Sequence, residues 1–205
     1  MSRTAPRLVV ITDPAYAPEV IVRQLRTALE AVPPGTVAVQ VRDRAARPEA
    51  LARALRELTR AHGAMLLVNR DVALAAEVGA DGVHFGSDPV DPSARATLGK
   101  GAWVTVAAHT EDDVRAAVEA GADAVLVSPI FASPGKGTPR GVAALAEARR
   151  IAPNLALFAL GGVDGSNAGA CLAAGASGVA VIRALLDAHD AAAVARALVD
   201  GRKVE

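Results

Sequence analysis

The sequence predicts a closed (β/α)8 barrel, and three observations carry that expectation. Short β-branched runs alternate with helical segments along the 205 residues. A phrase of helix end, glycine and buried strand recurs at Glu77 to Val83, Glu119 to Val125 and Ala173 to Val179. The residues that follow the strands are polar or glycine, whereas the strands themselves are apolar. Strict alternation over this length fits a barrel at its lower size limit, with a doubly wound open sheet as the alternative. The chain, 1–205, reads as a single barrel domain with its core between about 8 and 200.

Taken in order, Leu8 to Thr12 is a β-branched run stopped by Asp13-Pro14 and makes the first strand. Glu19 to Val32 repeats apolar residues at helical spacing and stops at Pro33-Pro34-Gly35. Val37 to Arg44 follows as a strand, with Val39 and Val41 on one face and Ala38, Gln40 and Arg42 on the other. Pro48 opens a helix over Glu49 to His62, closed by Gly63, and Met65 to Val68 is the third strand. In the recurring phrase each Gly supplies a left-handed helix stop, and an Asp or Ser precedes the strand that re-enters a parallel sheet. Between the repeats lie a strand at Ala102 to Val106, helices at Glu111 to Ala120 and Val142 to Ile151, and a strand at Leu155 to Leu160. A last helix is expected from about Ala184 to Val199, which completes eight strands.

In a barrel, chemistry gathers where strands end, and seven of the eight ends here carry hydrogen-bonding side chains or bare glycines. Gln40, Arg42 and Arg44 can aim several donors at one anion, and phosphate or pyrophosphate suits the planar guanidinium fork. An exposed, salt-bridged strand end is the alternative. Gly161-Gly162, with Val181, Ile182 and Arg183 leading into the last helix, occupies the usual phosphate position of this architecture. A tight turn alone also explains the two glycines. Ser133 to Gly137 is a glycine-flanked loop with one cation, Lys136, suited to a lid over an anionic leaving group or simply to a solvated surface loop. His84 and His109 share no metal-ligand spacing, and neither is assigned a catalytic role.

Composition removes several function classes. Lys plus Arg equals Asp plus Glu at 22 each, so no global field recruits nucleic acid or an acidic membrane, and any anion site is local. With 52% hydrophobic but only 2% aromatic residues, the core must be built of Ala, Val and Leu. The single cysteine, Cys171, excludes an intrachain disulfide and reads as packing in a cytoplasmic protein. No apolar run approaches a membrane span, and too few apolar residues follow Arg7 for a signal peptide. The alanine-rich stretch Ala188 to Leu198 suits either a homo-oligomer contact or the barrel itself.

Gln40 to Arg44, Asn69, Gly79 to His84, Ser128-Pro129-Ile130-Phe131 with downstream Lys136, Gly161-Gly162-Val163 and Gly178 to Ile182 together resemble the thiamine phosphate synthase and TenI superfamily. The resemblance runs from about Leu8 to Leu185 and implies the same barrel fold. It further implies that a hydroxymethylpyrimidine pyrophosphate is joined to a thiazole phosphate with loss of pyrophosphate, helped by magnesium. Gln40, Arg42 and Asn69 match positions that hold the pyrimidine pyrophosphate, with Arg44 where the family usually has Lys. Lys136 matches the lid lysine on the leaving group, and Gly162 with Val181 to Arg183 matches the thiazole-phosphate cradle. By the same comparison Arg42, Asn69 and Lys136 carry catalysis, and Ser133, Gly135 and Gly161 join the substrate-binding set; Arg70, a departure from the family pattern, joins it if its side chain enters the pocket, where it could replace magnesium's charge on the pyrophosphate.

The chain departs from the family pattern around the metal. Asn69-Arg70-Asp71 stands where synthases usually read Asn-Asp-Arg, so a cation replaces a magnesium ligand. The second acidic ligand is expected near Asp88 in a segment one residue short, leaving Asp71 and Asp88 as the candidate ligands. Ala107-Ala108 replaces a common Ser, and Gly135 stands where Thr or Ser is usual. The TenI-like thiazole tautomerases lack the magnesium set but carry a His at the position of Ser128. A barrel that binds a thiazole or pyrimidine phosphate without turnover is the third reading.

Overall fold

Eight parallel strands close on one another in chain order: β1 (Leu8–Ile11), β2 (Val37–Val41), β3 (Met65–Asn69), β4 (Gly82–His84), β5 (Trp103–Ala108), β6 (Ala124–Val127), β7 (Ala156–Leu160) and β8 (Gly178–Val181). The structure is a computed structural model and describes residues 5–43, 46–86 and 88–201. Closure is made by β1 on β8, with Leu8 opposite Val179 and Val10 opposite Val181. The expected barrel, and not the open sheet, is the fold.

Alternation along the strands builds two apolar layers. Val9, Ala38, Leu67, Leu126, Phe158 and Ala180 point inward and fill the barrel, where the Trp103 and Phe158 rings meet edge to face with centroids 6.1 Å apart. The intervening Val10, Val39, Val68, Val104, Val125 and Val179 face the outer helices. Those helices are α1 (Pro18–Glu30), α2 (Glu49–Ala61), α3 (Val72–Val78), α4 (Ala94–Leu98), α5 (Glu111–Glu119), α6 (Ala143–Ile151), α7 (Ala168–Ala173), α8 (Arg183–Leu186) and α9 (Ala191–Asp200). Their small apolar faces suit a core nearly without aromatics. No helix among the described residues is long and apolar enough to cross a membrane.

The recurring phrase has a shared job at the N-terminal rim of the barrel. Asp81 Oδ2 accepts from the Leu66 N–H at 2.9 Å and from Arg56 Nη1 at 2.6 Å. Asp123 Oδ2 accepts from Val104 N–H at 2.7 Å and Arg95 Nη2 at 2.9 Å. Ser177 Oγ accepts from Leu157 N–H at 3.2 Å and Arg149 Nη2 at 3.0 Å. Each clamp ties an odd-numbered strand to its successor and to an arginine of α2, α4 or α6. The glycines before them, Gly79, Gly121 and Gly175, take the left-handed conformation expected of helix stops.

The last helix differs from expectation. It breaks into α8 and α9 at Asp187 to Asp190. Gln24 Nε2 of α1 donates to the carbonyls of Leu186 at 3.2 Å and Ala188 at 2.8 Å, satisfying groups that a continuous helix would use internally. Asp190 then caps α9 by accepting from the Ala193 N–H at 2.9 Å. The alanine-rich face of α9, including Ala191, Ala195 and Leu198, is buried in the main core.

Candidate active site at the barrel mouth

At the C-terminal rim the inward-facing positions change from apolar to polar. The alternation that puts Ala38 inside puts Gln40 at the rim of β2, 1% exposed, while Asn69 and His84 stand opposite each other on β3 and β4. These three, with Arg42, Arg47 and Arg70, line a cavity of about 670 Å³ whose apolar wall includes Ile11, Leu126 and Leu160. A second cavity of about 440 Å³ is lined by Asp13, Tyr16, Ser133, Gly135, Gly161, Gly162, Val181, Ile182 and Arg183. Arg42, Lys136 and Leu160 line both. The mouth is therefore two chambers with a common wall bearing two cations.

Backbone shape explains the smaller chamber. Gly161 and Gly162 have φ of 97° and 63°, and a Cβ at Gly162 would lie 2.5 Å from the Ala132 carbonyl oxygen and 2.8 Å from Phe131 Cβ. Only glycine lets the chain turn there against the loop that carries Ser133 and Lys136. Across the chamber Arg183 Nη2 reaches Ser133 Oγ at 3.5 Å. Because α8 is a single turn, the helix dipole expected behind Val181 to Arg183 is small. Backbone groups and the Arg183 side chain carry the polarity instead.

Electrostatics separate the charged groups from the neutral ones. Arg42 Nη2 donates to Asp13 Oδ2 at 3.1 Å, which fixes the guanidinium on the shared wall. His84 Nδ1 lies 2.8 Å from Thr105 Oγ1. Burial first, then the charges of Arg42 and Arg70, push its pKa down to about 4, so the ring is neutral. Tyr16 donates to Asp187 Oδ1 at 2.7 Å, and burial followed by that bond pushes its pKa up to about 12. His109 Nδ1 lies 2.9 Å from the Ser128 carbonyl and 3.3 Å from Ser128 Oγ. Gln40 Nε2 is buried with no hydrogen-bond partner among the described residues, a donor awaiting an acceptor.

The donor set does not fit magnesium. Asp71 borders the larger chamber, but Oδ1 accepts from the Leu74 N–H at 2.7 Å as the cap of α3 and Oδ2 accepts from Arg47 Nε at 3.0 Å. Asp88 Oδ2 sits 2.8 Å from Arg70 Nε and borders a separate groove against α5. Among the described residues no three His, Cys, Asp or Glu side chains are grouped to hold a metal ion. Magnesium needs several oxygens in near-octahedral array, and these carboxylates are turned to other partners.

The larger chamber thus brings together Gln40, Arg42, Asn69 and Arg70, and the smaller one Ser133, Gly135, Gly161, Gly162, Val181, Ile182 and Arg183, with Lys136 in both. Arg44 lies outside the described residues. Sequence reasoning missed Tyr16, Asp13 as the partner of Arg42, and Arg47. Tyr16 is the chain's single tyrosine and follows a strand end, a signal that was available. Arg47 gave none, since its place depends on bonds to Asp71 and to Glu77 at 2.7 Å, far away in sequence.

A closed (β/α)8 barrel with a glycine-built chamber after β7 and β8 and cations after β2 and β6 has the shape of the barrel enzymes whose sites open at the C-terminal ends of the strands. Residues 8–185 match the family model described as thiamine monophosphate synthase, and the chain belongs to that family. It is 40% identical over 185 residues to the thiamine-phosphate synthase of Chromobacterium violaceum, covering 86% of this chain and 87% of that one. It is 43% identical over 161 residues to a bifunctional thiamine biosynthesis protein of Symbiobacterium thermophilum, covering 76% of this chain but 33% of that longer protein. Among solved structures, the thiamine phosphate pyrophosphorylase of Pyrococcus furiosus superposes with a TM-score of 0.83 at 27% identity, covering 97% of this chain and 98% of that one.

Proposed function

We propose that this chain is a thiamine-phosphate synthase that joins hydroxymethylpyrimidine pyrophosphate to thiazole phosphate, acting in the cytoplasm. The observation that carries the proposal is the shared wall: two chambers, sized for two small substrates, meet at Arg42 and Lys136. The larger chamber takes the pyrimidine pyrophosphate, with Gln40 and Asn69 offering amide groups to the substrate and Arg42 and Arg70 facing the pyrophosphate. The smaller chamber takes the thiazole phosphate against Gly161, Gly162 and Val181 to Arg183.

The chemistry needs little proton transfer. The bond between the pyrimidine methylene carbon and the pyrophosphate oxygen breaks, pyrophosphate leaves with the electron pair, and the thiazole nitrogen supplies the pair for the new carbon–nitrogen bond. Negative charge grows on the departing oxygen, where Arg42 and Lys136 receive it, and no base is required. His84 agrees with this, because a ring whose pKa is pushed down to about 4 is a weak base and holds no extra proton near neutrality. The experiment is to incubate the chain with both substrates and follow thiamine phosphate and pyrophosphate. Formation of the two in equal amounts supports the transferase. Conversion of the thiazole alone, without pyrophosphate, would turn the reading to an isomerase.

A further inference from the structure

We propose that the larger chamber holds pyrophosphate without a divalent cation, with the Arg70 guanidinium supplying the positive charge and Asp88 serving as its counter-ion and not as a metal ligand. This rests on the transferase reading for the identity of the natural ligand, though not for the binding itself.

Four observations converge on it. Arg70 is the one described non-glycine residue with positive φ, 64°, at the turn that ends β3. Its N–H is held by the His84 carbonyl at 2.8 Å, and the next N–H, of Asp71, returns to the Asn69 carbonyl at 2.8 Å, so the turn that sets the side chain's exit is fixed. The side chain runs beside Gly86, where a Cβ would come within 3.3 Å of Nη2, and borders the larger chamber. Finally, the two carboxylates that the family pattern offers as metal ligands are turned to other partners. Asp71 is divided between the α3 cap and Arg47, and Asp88 pairs with Arg70 Nε at 2.8 Å.

The chemistry of the pair follows. Arginine presents five N–H donors in a planar fork, and Asp88 lies 2.8 Å from Nε, at the inner end of that fork, so the two Nη groups at its outer end can take two phosphate oxygens side by side. Arg42, Arg47, Arg70 and Lys136 line the chamber against Asp43 and Asp71, so four cations face two carboxylates, an excess that favours a pyrophosphate. A divalent cation held by Asp71 and Asp88 would compete with Arg47 and Arg70 for those carboxylates and would meet two repelling guanidinium groups.

The test titrates inorganic pyrophosphate into the full chain by calorimetry, once with EDTA and once with magnesium chloride. The expected dissociation constants agree within about threefold, and Arg70→Gly, which suits the positive φ and so preserves the turn, weakens binding in EDTA by about tenfold or more. Asp88→Asn leaves binding in EDTA unchanged or tighter, because only a competing counter-ion is lost. Binding that appears only with magnesium, an unaffected Arg70→Gly, or an Asp88→Asn that loses binding overturns the inference. Product formation separates it from the transferase reading. Arg70-dependent binding in EDTA without turnover keeps this inference and removes the transferase, whereas turnover and binding that both require magnesium keep the transferase and remove this inference.

Discussion

Arg42 donates to Asp13 at 3.1 Å, and the pair stands where the two mouth chambers meet. Asp13 lines only the smaller chamber, whereas Arg42 reaches both, so the ion pair holds one cation at the wall between two chambers. Arg42→Ala removes a charge-assisted donor from a half-sheltered phosphate contact and is expected to cost about 2 kcal/mol in pyrophosphate binding. Calorimetry on the variant checks this, and an unchanged affinity would take Arg42 out of the site.

The smaller chamber is tested through its backbone. At Gly162 an added methyl would meet the Ala132 carbonyl at 2.5 Å, with φ at 63°. Gly162→Ala is therefore expected to push the 131–133 segment out of place and to weaken thiazole phosphate binding by about tenfold or more. Pyrophosphate binding in the larger chamber changes much less, so the two titrations compared on one variant show whether the chambers are separate.

A pH prediction follows from His84. Its pKa lies near 4 in the folded protein, below the 6.5 of a free side chain, so the unfolded state binds more protons between these values. Stability is therefore full above about pH 6.5 and falls as the pH drops toward 4, by about 3 kcal/mol in total from this group. Urea unfolding at a series of pH values measures the slope. His84→Gln should flatten it in that window, and an equally steep curve in the variant would assign the loss to other groups.

The clamps at the opposite rim are predicted to serve stability and not chemistry. Arg56 and Asp81 side chains are 13% and 11% exposed, and Asp81 also accepts from the Leu66 N–H. Removing one partner leaves an uncompensated charge, so Asp81→Ala is expected to lower unfolding free energy by about 3 kcal/mol. Pyrophosphate affinity measured well below the melting temperature should not move.

The fold was legible because its signals are local. Gly79, Gly121 and Gly175 stop helices through their own conformational freedom, and the Val-rich strands announce burial on both faces. The Arg42, Lys136 and Gly162 convergence was legible because barrel topology sends every strand end to one mouth. What escaped depends on long-range bonds. The break after Leu186 is made by Gln24 of α1, and α4 is a five-residue helix too short to leave a periodic trace. The fate of Asp71 was equally hidden, because an Asp that caps a helix and one that binds a metal look alike until Leu74 and Arg47 are seen beside it.

Two chambers with a common wall at Arg42 and Lys136 are expected to hold two ligands together, one in each. The most direct measurement titrates thiazole phosphate into the chain already saturated with inorganic pyrophosphate, which stands in for the leaving group and cannot react. One equivalent of thiazole phosphate binding without release of the pyrophosphate is the predicted result. Mutual displacement, with only one of the two bound at a time, would contradict it.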